Sequence, residues 1–66
     1  EMVAYPMNGQ SPAQIGQDRY DCYRWAVEQS GFDPAKATYA PAAQVVQAYR
    51  QAQGSCLSSR GYQVTY

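Results

Sequence analysis

A mainly α-helical fold is predicted, with two helices at about residues 12–30 and 41–59 joined by an intramolecular Cys22–Cys56 disulfide and flanked by short β-prone arms. Three observations predict it: paired helix start and stop signals around residues 11–34, a regular apolar spacing from residue 42 to 56, and two cysteines in a chain of 66 residues. The chain reads as a single domain over residues 1–66. Residues 1–10 form an extended arm, 11–60 a helical pair and 61–66 a β-prone tail.

The arm opens with the β-prone run Met2-Val3-Ala4-Tyr5, and Pro6 and Asn8-Gly9 then supply turn chemistry. Ser11-Pro12-Ala13-Gln14 provides an N-cap serine, a proline at the first helical position and a glutamine three residues on for a capping box. Gly31 is placed to end this helix in a left-handed C-cap, with Asp33-Pro34 as a stop beyond it. Ile15, Cys22, Trp25, Ala26 and Gln29 fall on one stripe, and Gly16, Tyr20, Tyr23 and Val27 on the next. That apolar arc is wider than one partner helix covers.

Pro41 opens the second helical pattern, whose stripe is Ala42, Val45, Tyr49, Ala52 and Cys56. Gly54 weakens a helix by about 1 kcal/mol relative to alanine, so a break or 3₁₀ turn is expected near Ser55, with Gly61 as terminator. In the tail, Tyr62, Val64 and Tyr66 alternate with Gln63 and Thr65, which predicts a strand able to pair with residues 2–5. A two-stranded ribbon is marginal in water. It needs the helices beneath it or strands from a neighbouring molecule.

A chain this short builds a core of marginal stability, and an even cysteine count then reads as a disulfide for an oxidising compartment. Closing a loop of about 35 residues stabilises a fold by roughly 3 to 4 kcal/mol in the chain-entropy model. Two buried free thiols are the alternative. A tight hairpin with Ser30 beside Pro41 would set Cys22 opposite about residue 49, leaving Cys56 roughly 10 Å away, which exceeds disulfide reach. Slid or crossed helices are therefore expected, with an intermolecular bond as the remaining option.

Five basic and five acidic residues balance, so no long-range field gathers nucleic acid or anionic lipid. No stretch approaches the roughly 18 apolar residues that span a bilayer, no N-terminal signal pattern is present, and Glu1 is read as a processed or trimmed N-terminus. Seven Tyr, nine Gln and ten Ala against one Lys give a polar, weakly charged surface of the kind used for contact. With no histidine the commonest general base and metal ligand is missing. Asp18, Asp21 and Glu28 stand at helical spacings where Arg24 can pair with Asp21 or Glu28, so they read as a solvated face. No catalytic residue, cofactor or metal site is predicted.

Asp33 before Pro34 is expected to cap a turn. Tyr20, Tyr23 and Val27 are candidates for an interface, as are Tyr62, Val64 and Tyr66 in the tail. Trp25 is the one aromatic singled out for recognition, with core packing against the disulfide as its other reading. A protein partner or self-assembly is expected, without nucleic acid and without a transmembrane segment.

Tyr5-Pro6, Gly9-Gln10-Ser11-Pro12, Asp18, Asp21-Cys22, Trp25-Ala26 and Gly31-Phe32-Asp33-Pro34 together resemble the glycine-zipper family of small exported proteins of Gram-negative bacteria. Tyr49-Arg50, Cys56-Leu57 and Arg60-Gly61-Tyr62 look like that family's other end, and the blocks cover roughly two-thirds of the chain. The Ala/Gly zipper that usually lies between them is replaced here by residues 35–48, without repeated glycines. The resemblance implies export to the periplasm, outer membrane or exterior and implies no biochemical activity. The function expected is a non-enzymatic structural or accessory subunit of a cell-envelope or extracellular assembly, self-association included. The runner-up is a soluble periplasmic module that binds an extended peptide by strand addition at residues 62–66.

Overall fold

A computed structural model of the chain describes residues 2–38 and 40–65. Four elements follow in order: β1 (Val3–Pro6), α1 (Pro12–Ser30), α2 (Ala43–Ser59) and β2 (Tyr62–Thr65). The two helices form an antiparallel pair, and the two strands form a ribbon packed against it.

At the start of α1, the Ser11 side chain accepts the Gln14 N–H at 3.2 Å, and Pro12 occupies the first helical position. Only this half of the expected capping box forms, because the Gln14 amide turns forward and donates to Asp18. Gly31 ends α1 at φ 70°, where its N–H donates to the Val27 carbonyl. A glycine suits that left-handed cap since it carries no Cβ.

The second helix begins at Ala43, two residues later than the proline suggested, because the backbone stays extended through Ala42 (ψ 146°). The Ala42 carbonyl then accepts the first bonds, from the N–H groups of Val45 and Val46. No break occurs at Gly54, and the helix continues to Ser59. The last turns hold Cys56 in its disulfide and bury Leu57, and this tertiary anchoring outweighs the ~1 kcal/mol propensity cost.

Cys22 and Cys56 are bonded within the chain, with Cα atoms 5.4 Å apart, and no free cysteine is present. The free-thiol and intermolecular alternatives fall away. Along α2 the partners run Phe32 to Tyr49, Cys22 to Cys56 and Asp18 to Arg60, so the pair is antiparallel and Ser30 lies opposite about Ala48. About the first five residues of α2 thus overhang the end of α1, and against a hairpin with Ser30 beside Pro41 the slide is about seven residues, roughly 10 Å. The 37 Å long axis fits this offset, since α1 alone spans about 28 Å.

The strands pair antiparallel in the register Val3 with Thr65, Ala4 with Val64, Tyr5 with Gln63 and Pro6 with Tyr62. Pairing extends to Met7, whose N–H donates to the Gly61 carbonyl at 2.9 Å. Gln10 secures this junction: its side-chain oxygen accepts the Asn8 N–H while its amide donates to Gly61 at 3.0 Å. The ribbon finds the support it needs within its own chain. Cys22, Leu57 and Tyr62 form the core cluster, and Met2, Ala4, Ile15 and Val64 pack against it.

On α1 the buried line is Asp18, Cys22 and Ala26, with Ile15 half-buried at its start. Trp25 and Gln29, which share a stripe with Cys22 and Ala26 in the sequence, are exposed. The disulfide draws Cys22 to the centre of the seam, and Ala26 follows one turn later. Trp25 then stands about 100° round the helix from Ala26, outside the contact.

Candidate functional site

Two kinds of feature compete for function here: a closed polar network around Asp18 and a set of exposed apolar side chains. Asp18 was expected on a solvated face, yet it is 3 % exposed. It accepts the Tyr62 hydroxyl at 2.8 Å, the Gln14 amide at 2.9 Å and Arg60 Nη1 at 3.0 Å. Arg60 also donates to Asp21 at 3.1 Å, and its two ion pairs are the ones present among the described residues. Arg24 pairs with neither Asp21 nor Glu28 there. Arg60 takes the role because the end of α2 delivers it between two carboxylates that lie three residues apart on α1.

The bond from Tyr62 holds the Asp18 carboxyl below its ordinary range, with help from Gln14 and Arg60 and against the opposing effect of burial. Burial, followed by the bond to Asp18, pushes the Tyr62 phenol up, and the two carboxylates raise Arg60 further. No buried side-chain nitrogen or oxygen lacks a partner among the described residues. A carboxylate so fully occupied is a structural lock. The same residues contain no group of three candidate metal ligands.

A second lock ties α1 to the connector. The Tyr23 hydroxyl donates to Asp33, which also accepts the Ala35 N–H at 3.0 Å, so Asp33 caps its turn as expected. The bond to Asp33 pushes Tyr23 up to about 12 and holds Asp33 low. Phe32 packs edge-on against Tyr49 with ring centroids 5.9 Å apart.

Tyr20 stands on the surface at 56 % exposure, with the half-buried Tyr23 ring 6.2 Å away and Val27 half-buried one turn on. Trp25 is 40 % exposed and lines a cleft with Arg24, Cys56 and Arg60, outside the core. Tyr62 is a correction to the expected interface set. Its register turns it to the inner face of the ribbon, where it is 4 % exposed and anchored by Asp18. Val64 is half-buried on that same face, and Tyr66 lies outside the described residues.

The exposed residues missed from sequence are Val3, Tyr5 and Met7, the last two at 60 % and 62 % exposure. The signal was available: Val3 and Tyr5 alternate with Met2 and Ala4 as Gln63 and Thr65 alternate with Tyr62 and Val64. Once one face of the arm packs on the helices, the other must face solvent.

Compared with family models, curated proteins and solved structures, the chain matches none. Among the described residues no helix is long and apolar enough to cross a membrane. The class that the fold defines is a disulfide-stapled helical hairpin carrying a two-stranded terminal ribbon.

Proposed function

We propose that this chain is an exported, non-enzymatic structural or accessory subunit that works by protein contact. The contact is made through Tyr5 and Val3 on the ribbon and Tyr20 on α1, with copies of itself or with an envelope partner. One observation carries the reading. The described residues bury five hydrophobic side chains and leave five large ones on the surface, three of them (Val3, Tyr5 and Met7) close together along the N-terminal arm. The disulfide suits an oxidising compartment, and the terminal blocks that resemble exported glycine-zipper proteins support the same placement. The absence of histidine from the sequence and the full occupation of Asp18 support a role without catalysis.

Light scattering at high concentration, alongside partner recovery from envelope extracts, tests this with a Tyr5→Ser/Tyr20→Ser variant. Association should be lost while thermal unfolding changes little, since exposed substitutions cost within about 0.5 kcal/mol. A wild-type chain that is strictly monomeric and recovers no partner refutes the reading. Deleting residues 62–66 would not serve as a test, because Tyr62 belongs to the core and its loss disrupts the fold.

A further inference from the structure

We propose that the groove between the free edge of β1 and the helices binds an extended, acidic segment of a partner protein as a third strand. The proposal rests on the protein-contact reading and shares Val3 with that surface, but it does not use Tyr5 or Tyr20.

The edge follows from the ribbon's hydrogen bonds. The single bond from Met7 N–H to the Gly61 carbonyl puts these two at a hydrogen-bonding position of the ladder, and such positions alternate along an antiparallel pair. Through the observed register, Val3 and Tyr5 then bond to Thr65 and Gln63, while the N–H and C=O of Ala4 point away from β2. Pro6 falls on the same outward phase, where its missing N–H costs no ladder bond. Pro6 also limits how far an added strand can pair, which leaves residues 2–4 as the docking length.

Those residues line a groove of about 640 Å³ with Tyr49 and Leu57 in its floor, Arg19 on the α1 side and Arg50 on the α2 side. No acidic residue is among the described lining residues, and neither arginine makes an ion pair among the described residues. An open strand edge supplies main-chain bonds, and guanidinium groups add charge-assisted bonds to carboxylates. A second copy adding its own strand is a poorer fit. Neither VAYP of β1 nor YQVT of β2 carries an acid to meet the arginines.

The test uses the intact, oxidised, ¹⁵N-labelled chain titrated with a blocked hexapeptide of alternating Val and Glu, against the same peptide with Lys for Glu. The Glu peptide should shift the Ala4 amide and its neighbours in residues 2–4 saturably, and the Lys peptide should not. Arg19→Gln and Arg50→Gln should each weaken binding about tenfold while the remaining spectrum stays folded. Equal shifts from both peptides, no shift in residues 2–4 at millimolar peptide, or unchanged binding by both arginine variants overturns the proposal. Edge shifts that depend on protein concentration without peptide assign the edge to a second copy and overturn it too. If the peptide fails while association through Tyr5 and Tyr20 persists, the groove alone is refuted.

Discussion

Reducing the Cys22–Cys56 bond should remove a large share of this domain's stability. The cysteines are separated by 34 positions, and the chain-entropy model assigns a loop of that size about 4 kcal/mol. A chain of 66 residues has roughly 3 to 10 kcal/mol of stability in all. The reduced protein should therefore be marginally folded or unfolded at 25 °C. Because Cys22 is fully buried in the core cluster with Leu57 and Tyr62, opening the bond also loosens the contact between ribbon and helices. Urea unfolding followed by far-ultraviolet circular dichroism, with and without reductant, measures the difference. With a slope near 1 kcal/mol per molar, the low end for small proteins, the midpoint should fall by roughly 4 M, or the transition should vanish. A fall of less than about 1 M would refute the claim that the disulfide holds the slid helical pair together.

Acid should weaken the fold through Asp18 and Asp33. Both are held below the ordinary value of 3.8, so their stabilisation is complete above that value and disappears as pH falls through their lower folded values. The urea midpoint should hold from neutral pH to about pH 4 and drop below it; a midpoint flat down to pH 2 contradicts this. In base the sign reverses for Tyr23. Its phenol is raised from 10.0 to about 12, so its contribution is present below pH 10 and fades as pH rises through 12. Phenolate absorbance should show Tyr23 ionising late in wild type, along with the buried Tyr49 and Tyr62, and Asp33→Asn should return chiefly Tyr23 toward 10. Gly61→Ala should destabilise more than Gly31→Ala. Both sites have positive φ, but an added Cβ at Gly61 forces the Asn8 side chain to turn aside and crowds the Gln10 amide that bonds Gly61, whereas Gly31 has open space; thermal melts that rank them the other way refute the packing described for this turn.

Much of the architecture was legible because it rests on local chemistry. Ser11, Pro12 and Gly31 mark the ends of α1 through backbone groups within a turn of themselves, and the observed bounds follow them. The disulfide was read from two cysteines in a short chain, and helix rise then ruled out a tight hairpin, leaving slid or crossed helices. Features set by tertiary contact were not legible. Asp18 read as one more surface acid, since nothing near it in sequence announces Arg60 and Tyr62, 42 and 44 positions away. Gln14 offered a faint local hint, four residues before Asp18 and able to bond it. Trp25 could be read as facing in or out, and the half-polar seam of Asp18, Cys22 and Ala26 that actually packs leaves it outside. Gly54 shows the same limit. A propensity of about 1 kcal/mol is overridden where a covalent bond and a buried leucine hold the last turns.

The claim that this chain acts through exposed aromatic surface is tested most directly by photo-crosslinking in the native compartment. Tyr5 and Tyr20 are each replaced by p-benzoylphenylalanine, with the exposed Gln44 of α2 as the reference position. Discrete adducts from Tyr5 and Tyr20, to a partner or to another copy, with none from Gln44, are the predicted result. Absence of adducts at both tyrosines, or the same adducts from all three positions, would contradict it.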